Sequence, residues 1–113
     1  MLSFVFYYLL KHPEAYKKAQ EEVDRVIGRG SIQTEHLTKL PYITAVLRET
    51  LRLQPTAPAI SLQPINDVET IGGQYTVHKG DPIIALLAKI HRDPAVYGHD
   101  ANEWRPELSL IHI

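Results

Sequence analysis

The stretch from Leu40 to Ile60 constrains the fold more than any other part of the chain. It reads LPYITAVLRETLRLQPTAPAI. Pro41 suits the first position of a helix, because proline lacks only an N–H that is unpaired there. Apolar side chains then recur at helical spacing, and Pro55 disfavours the helical conformation at the residue before it. The sequence therefore predicts a helix from Pro41 to Leu53.

The chain carries two copies of the pattern Glu-x-x-Arg. Glu49 and Arg52 stand three residues apart inside the apolar helix, and this spacing places them on one face. Buried charges are tolerated when they are paired, so we expect a structural ion pair here, although spacing alone also fits a half-exposed pair. Glu22 and Arg25 lie among charged and polar residues. We interpret that second copy as a solvated helix face, where ion pairs contribute little.

Composition excludes several classes of protein. With 113 residues the chain forms one domain at most. The net charge of −1, with acidic and basic residues interspersed, lacks the basic footprint of a nucleic-acid-binding protein. The apolar run Met1–Leu10 is shorter than the roughly 20 residues that a transmembrane helix needs. No basic residue precedes it and no small-residue cleavage site follows it, which argues against a signal peptide.

Further motifs stand in a fixed order, from the end of the helix onward: Leu-Arg-Leu, Pro-x-x-Pro-Ala, Lys-Gly-Asp, His-Arg-Asp-Pro and Trp-Arg-Pro-Glu. Together with Leu-Pro-Tyr and Glu-x-x-Arg, this order resembles the heme-thiolate monooxygenases, the cytochrome P-450 superfamily. The sequences of these motifs are most similar to those of the soluble fatty-acid hydroxylases whose heme domain is fused to a reductase. The residues that carry the resemblance are Leu40–Tyr42, Glu49–Leu53, Pro55–Leu62, Lys79–Asp81, His91–Pro94 and Trp104–Glu107.

The resemblance implies a mainly α fold with a small β-sheet (α+β). It places the chain between the end of the central long helix, at Leu2–Leu10, and the meander before the cysteine loop. Residues 1–113 would then be a partial heme-monooxygenase domain, incomplete at both ends. The implied parent activity is insertion of oxygen into an apolar substrate such as a fatty acid. Heme would be the cofactor, NADPH and flavins would act through a reductase, and the protein would be cytoplasmic without a transmembrane segment.

The resemblance also implies that the reactive groups lie elsewhere. The heme iron of the family is held by a cysteine thiolate, and this chain has no cysteine. We expect the cysteine loop beyond Ile113 and the acid–alcohol pair that helps deliver protons before Met1. The sequence thus predicts no catalytic residue, no metal ligand and no monooxygenase activity for the chain alone.

The segment after the helix is the candidate pocket wall. By resemblance it passes beside the heme, and its small or apolar side chains suit a pocket for apolar ligands. Plain core packing is the alternative. No arginine follows in 60–63 that could reach a heme propionate. The substrate-pocket or heme-facing candidates are Ala57, Pro58, Ala59 and Ile60.

Two further helices are predicted before the central one. Pro13 begins an amphipathic helix that Gly28 ends in the left-handed conformation. A short helix at Thr34–Lys39 has Thr34 as its candidate N-cap. The first of these helices is expected to pack through an apolar stripe of Tyr16, Ala19, Val23, Val26 and Ile27.

Strands follow the central helix. Val68–Ile71 and Gln74–Val77 flank Gly72-Gly73, a hairpin signal because paired glycines accept positive φ. The apolar run Ile83–Ala88 predicts a strand covered on both faces. Asp93 is then the expected cap of a short helix that starts at Pro94.

The end of the chain departs from the family. Trp104, Pro106 and Glu107 match the meander motif, which normally continues with an arginine that completes a network with the Glu-x-x-Arg pair. Position 108 is leucine, and the tail 108–113 is divergent. We therefore expect the pair, if buried, to be incompletely satisfied, which is costly in a low-dielectric interior.

Two alternatives remain open. The chain could be a cofactor-free α+β binding or regulatory module derived from such an enzyme, which requires that it fold alone. It could also hold heme through histidine. Its six histidines are scattered, however, and His91 is better interpreted as a hydrogen-bonded structural residue.

Overall fold

The computed structural model describes residues 1–111. Helices dominate and the strands are short, so the predicted α+β class is confirmed. The helices are α1 (Leu2–Lys11), α2 (Pro13–Val26), a 3₁₀ helix (Thr34–Lys39), α3 (Pro41–Leu53), α4 (Leu87–Ile90), α5 (Pro94–Tyr97) and α6 (Pro106–Ile111). The strands are β1 (Ile60–Leu62), β2 (Val68–Ile71), β3 (Tyr75–His78) and β4 (Ile83–Ala85).

The core lies where α1, α2 and α3 meet the segment that leads into α6. Helix α3 has the predicted bounds, Pro41–Leu53. Helix α2 starts at Pro13 as predicted, and Gly28 follows its end with a φ of 64°. The buried apolar side chains of the cluster are Val5, Leu9, Ala15, Ala19, Val46, Leu53 and Trp104.

The strands form two separate two-stranded antiparallel sheets rather than one. β2 and β3 form the predicted hairpin, with Ile71 opposite Tyr75, so β3 begins one residue later than predicted. Gly72 and Gly73 have φ values of 60° and 70°, which only glycine adopts without cost. β1 pairs with β4, with Ile60 opposite Ala85.

Two local predictions were wrong. The apolar run Ile83–Ala88 is not one covered strand: β4 ends at Ala85, Ile84 is exposed, and α4 follows. Each sheet has only two strands, and periodicity cannot distinguish a buried strand from a buried helical turn. The cap of the 3₁₀ helix is Gln33 rather than Thr34, because Gln33 forms a reciprocal capping box with His36.

The first helix is buried on one side only. In α1 only Val5 and Leu9 are buried, because α2 and α3 pack against one side of it. In α2 the buried residues are Ala15, Ala19 and Glu22, so its buried face is rotated away from Tyr16, which is exposed.

Among the described helices, none combines the length and the apolar character that a membrane crossing requires. The exposed apolar side chains of α1 are Leu2, Phe4, Phe6, Tyr7 and Leu10.

Candidate functional site

Glu49 and Arg52 form a buried bidentate ion pair in the second half of α3. Arg52 Nη2 lies 2.7 Å from Glu49 Oε1, and Arg52 Nε lies 2.8 Å from Glu49 Oε2. The side chain of Glu49 is 1% exposed and that of Arg52 is 8% exposed. Two parallel charge-assisted bonds fix the geometry as well as the charge. The half-exposed alternative is therefore wrong for this copy of the pattern.

The remaining N–H groups of Arg52 bind main-chain carbonyls. Nη1 donates to the carbonyl oxygens of His91 and Ala101, both at 2.7 Å, and Nη2 donates to that of Glu103 at 3.0 Å. A guanidinium has five N–H donors, and all five are used here. The ring of Tyr97 lies 4.9 Å from Arg52 Cζ and covers the face of the guanidinium. Arg52 therefore fastens residues 91–103 to α3.

Glu49 extends the same network. Its Oε1 also accepts the backbone N–H of Arg105 at 2.9 Å. Within the described part of the chain, no buried side-chain nitrogen or oxygen lacks a partner. The expectation of an incompletely satisfied pair was therefore wrong: main-chain groups take the place of a third charged side chain. Leu108 instead lines a groove of about 500 Å³ beside Arg52.

Trp104 of the meander motif packs into the core beside this network. Its indole N–H donates to Thr50 Oγ1 at 3.1 Å, and Thr50 in turn donates to the carbonyl of Val46. The indole ring stacks with the rings of Tyr8 and His12, at centroid distances of 5.3 and 5.0 Å. Trp104 therefore joins α1 to α3. Sequence reasoning missed Thr50, whose signal was its place beside Glu49 in an apolar helix.

The motif His91-Arg92-Asp93-Pro94 binds the end of α3. His91 Nδ1 lies 3.2 Å from the carbonyl oxygen of Arg52, and Arg92 donates to the carbonyl of Leu53 at 2.8 Å. Asp93 accepts the N–H of Ala95 at 2.9 Å and caps α5 as predicted. The interpretation of His91 as a hydrogen-bonded structural residue is confirmed. These contacts satisfy carbonyls that a helix end leaves free.

The second Glu-x-x-Arg copy is not a solvated face throughout. Arg25 is exposed, but Glu22 is only 5% exposed. Its Oε1 accepts the N–H of Tyr42 and its Oε2 that of Ile43, each at 2.9 Å. Position 22 shares a helical face with Ala19, and that face meets the start of α3. The prediction for Glu22 was wrong because the surrounding charges obscured this face.

Glu107 connects the meander motif to α2 and α3. Its Oε1 lies 3.0 Å from Lys18 Nζ and 3.5 Å from the hydroxyl of Tyr42. Burial and the Glu107 charge raise the pKa of Tyr42 to about 12. Burial alone would raise the pKa of Glu107, but the hydrogen bonds from Lys18, the backbone and Tyr42 and the charge of Lys18 together outweigh it, so the pKa is lowered. Pro106 is buried and begins α6.

The candidate pocket residues lie on the surface of the chain. Ala57, Pro58, Ala59 and Ile60 are all exposed, so they do not pack into the core of the described residues. Ile60 starts β1, and the carbonyl of Pro58 accepts the N–H of Ala88 at 3.1 Å, which holds the segment against α4. Among the described residues, no group of three or more histidine, cysteine, aspartate or glutamate side chains is placed to hold a metal ion.

Comparison with known proteins gives a consistent result. The profile that describes the cytochrome P450 family matches residues 1–108. A self-sufficient cytochrome P450 monooxygenase of Oidiodendron maius (strain Zn) is 62% identical over 109 residues, which cover 96% of this chain and 10% of that protein. Bifunctional cytochrome P450/NADPH–P450 reductases of Aspergillus oryzae and Fusarium oxysporum are 60% and 57% identical, with the same two coverages. The chain thus spans about a tenth of the length of these relatives. The match over residues 1–108 shows that the chain belongs to the cytochrome P450 family.

Proposed function

We propose that this chain is a piece of the heme domain of a reductase-fused monooxygenase and supplies its scaffold rather than its reactive groups. The observation that carries the proposal is the Glu49/Arg52 pair, which is buried and closed by main-chain groups of residues 91–105. Such a network fixes the meander segment against α3. The relatives are named as monooxygenases or as P450–reductase fusions, which supports a parent reaction that inserts oxygen into an apolar substrate such as a fatty acid.

The proposed pocket wall is the segment that leads into β1. Ala57, Pro58, Ala59 and Ile60 present small, apolar and exposed surface. The segment is held between the end of α3 and the β1–β4 sheet, so it is positioned on both sides. A wall of this kind shapes a pocket for an apolar ligand and leaves orientation to a few polar groups. We propose that these four residues contact the substrate or the heme.

The heme itself does not fit the donors of this chain. Thiolate ligation requires a cysteine, and the sequence has none. In the proposed parent protein, the sulfur ligand therefore belongs to another part of the heme domain. NADPH and flavins belong to the reductase, and the cytoplasm is the proposed location.

The shape of the chain supports packing of its exposed surfaces against further structure. Its radius of gyration is 18.8 Å, whereas a compact domain of about 100 residues has a radius near 13 Å. Phe4, Phe6 and Leu10 of α1 are exposed. Apolar patches of this kind mark surfaces that pack against other structure. We propose that the rest of the heme domain covers them.

A chimera tests the proposal directly. Residues 1–107 replace the equivalent segment of the Oidiodendron maius relative, which is 62% identical to this chain. We expect the chimera to incorporate heme, to show the reduced carbon-monoxide band of thiolate ligation, and to retain turnover. Glu49→Gln in the chimera should abolish heme incorporation, whereas the exposed control Glu21→Gln should not. A chimera that folds without heme would contradict the scaffold role.

The pocket assignment has its own test. Exchanging only residues 57–60 of the chimera for Gly-Pro-Gly-Thr should change the preferred substrate and leave heme incorporation intact. Unchanged preference across fatty acids of different chain length would contradict a pocket role. The isolated chain should show no turnover and no thiolate-type band after addition of hemin. A stoichiometric band that a single histidine substitution removes would instead favour histidine ligation.

A further inference from the structure

Glu22 stands out because it is a buried carboxylate that the proposed function does not use. It lies on α2 and is 5% exposed. A buried charge is tolerated only when hydrogen bonds or opposite charges compensate it. Its two oxygens each accept one backbone N–H of α3, from Tyr42 and Ile43. Both bonds are 2.9 Å long, the length typical of a well-formed N–H···O bond.

The start of α3 has no local means of satisfying these donors. Leu40 occupies the N-cap position and has no polar side chain, and Pro41 at the first helical position has no N–H. The first intrahelical bond runs from Thr44 N–H to the carbonyl of Leu40. The N–H groups of Tyr42 and Ile43 are therefore the two donors that the helix leaves free. Glu22 satisfies both, and its negative charge suits the positive end of the helix dipole.

The other half of the same helix carries Glu49 and Arg52. From Ile43 to Arg52 the helix rises about 14 Å, at 1.5 Å per residue. Arg52 must reach three carbonyls of a different segment at distances between 2.7 and 3.0 Å. Hydrogen bonds weaken steeply when the geometry departs from its optimum. The axial position and the rotation of α3 therefore decide whether all five bonds of Arg52 form together.

We infer, on the basis of the proposed function, that Glu22 is a positioning residue for the Glu49/Arg52 network. Its two oxygens fix the height and the rotation of the first turn of α3 relative to α2. The rigid helix transmits that position to Arg52. The glutamate of one Glu-x-x-Arg copy thus positions the ion pair of the other copy.

The test uses the ¹⁵N-labelled chain of 113 residues and compares Glu22→Gln with the exposed neighbour Glu21→Gln. Removing one acceptor should speed amide hydrogen exchange at Tyr42 and Ile43 by about tenfold. The positioning role also predicts roughly threefold faster exchange at the Arg105 amide, which binds Glu49. The indole N–H resonance of Trp104, the single tryptophan, should shift as well. Glu21→Gln should change none of these signals, and Glu22→Asp, which keeps both oxygens, should restore part of the protection.

Three results would overturn the inference. Faster exchange confined to Tyr42 and Ile43 would make Glu22 a local cap without influence on the network. Unchanged exchange at all three amides would show that the contact is absent. In the wild type, exchange at Tyr42 and Ile43 as fast as in an unfolded peptide, while the Leu47 and Thr50 amides of α3 stay protected, would show that Glu22 does not bind the start of the helix. None of these readouts needs heme or turnover, so a failed chimera and a failed positioning role are separate results.

Discussion

The two Glu-x-x-Arg copies use their glutamates differently. In α3 the glutamate and the arginine bind each other, whereas in α2 they do not. Glu49 is paired with Arg52 at 2.7 Å. Glu22 instead binds the backbone N–H groups of Tyr42 and Ile43, and its arginine stays exposed. Both carboxylates are buried, but one is compensated by a charge and the other by the free donors of a helix end. The same three-residue spacing therefore does not determine which partner a buried carboxylate takes.

The largest expected effect is at Arg52. Arg52→Met leaves Glu49 buried without its counter-charge and three carbonyls without donors, which should cost about 3–5 kcal/mol of unfolding free energy. Arg25→Met, the matched change in the exposed copy, should change it by less than about 0.5 kcal/mol. Urea unfolding followed by circular dichroism measures both. Equal losses of unfolding free energy in the two variants would contradict the difference between the two copies.

Thr50 should come next. Thr50→Val keeps the shape of the side chain but leaves the buried indole N–H of Trp104 without an acceptor, at a cost of about 1–3 kcal/mol. Thr44→Val is the control, because Thr44 bonds the carbonyl of Leu40 in the same way but is only half-buried. Trp104 emission during urea unfolding reports both variants. A loss at Thr44 as large as that at Thr50 would show that the indole bond adds nothing.

A smaller effect is expected at alkaline pH. Burial and the Glu107 charge raise the pKa of Tyr42 from 10.0 to about 12 in the folded chain. A raised folded-state pKa contributes stability that is complete below pH 10 and is lost as the pH rises toward 12. Tyr42→Phe should flatten this decline, which thermal unfolding between these pH values measures. An unchanged slope would show that neither burial nor the Glu107 charge perturbs the hydroxyl of Tyr42 in the folded chain.

The contact between Lys18 and Glu107 should also make the stability of the chain depend on pH in the acid range. The pKa of Glu107 is lowered from 4.5, so its contribution is present above that value and is lost as the pH falls through the folded-state pKa. Lys18→Gln should remove this component, because Lys18 donates the hydrogen bond that lowers the pKa. Thermal unfolding between pH 3 and pH 5 measures the slope. A slope as steep as that of the wild type would exclude Lys18 as the cause.

The smallest effect separates two neighbouring lysines at neutral pH. Lys18→Gln breaks the 3.0 Å contact with Glu107 and should cost up to about 1 kcal/mol. Lys17→Gln removes an exposed pair with Glu21 at 3.9 Å, for which about 0.3 kcal/mol is expected. Chemical denaturation resolves a difference of this size when both variants are measured together. A larger loss at Lys17 would reverse the ranking.

Local signals predicted much of this molecule. Pro41 and Pro55 set the ends of α3, Gly72 and Gly73 the hairpin, and Asp93 the cap of α5, because each acts through its own backbone or its near neighbours. Contacts between distant segments were not predictable in this way. Glu22 was assigned to solvent because its partners lie 20 and 21 residues away, and no spacing rule connects them.

The site shows the same limit. The pairing of Glu49 with Arg52 followed from a helical turn, but the partners that complete the network are main-chain groups, which every residue carries. A sequence does not reveal which carbonyl will point at a guanidinium. The expectation that Leu108 leaves the pair unsatisfied failed for this reason: it counted charged side chains and omitted the backbone.

The most direct measurement of the central claim is a pair of double-mutant cycles in urea with trimethylamine N-oxide added to keep weakened variants folded. One cycle combines Glu49→Gln with Arg52→Gln, and the other combines Glu22→Gln with Arg25→Gln. We predict a coupling free energy of about 2–3 kcal/mol within α3 and a value within about 0.3 kcal/mol of zero within α2. Equal coupling in the two cycles would contradict the claim that the first pair is an interior ion pair and that the second glutamate serves another helix.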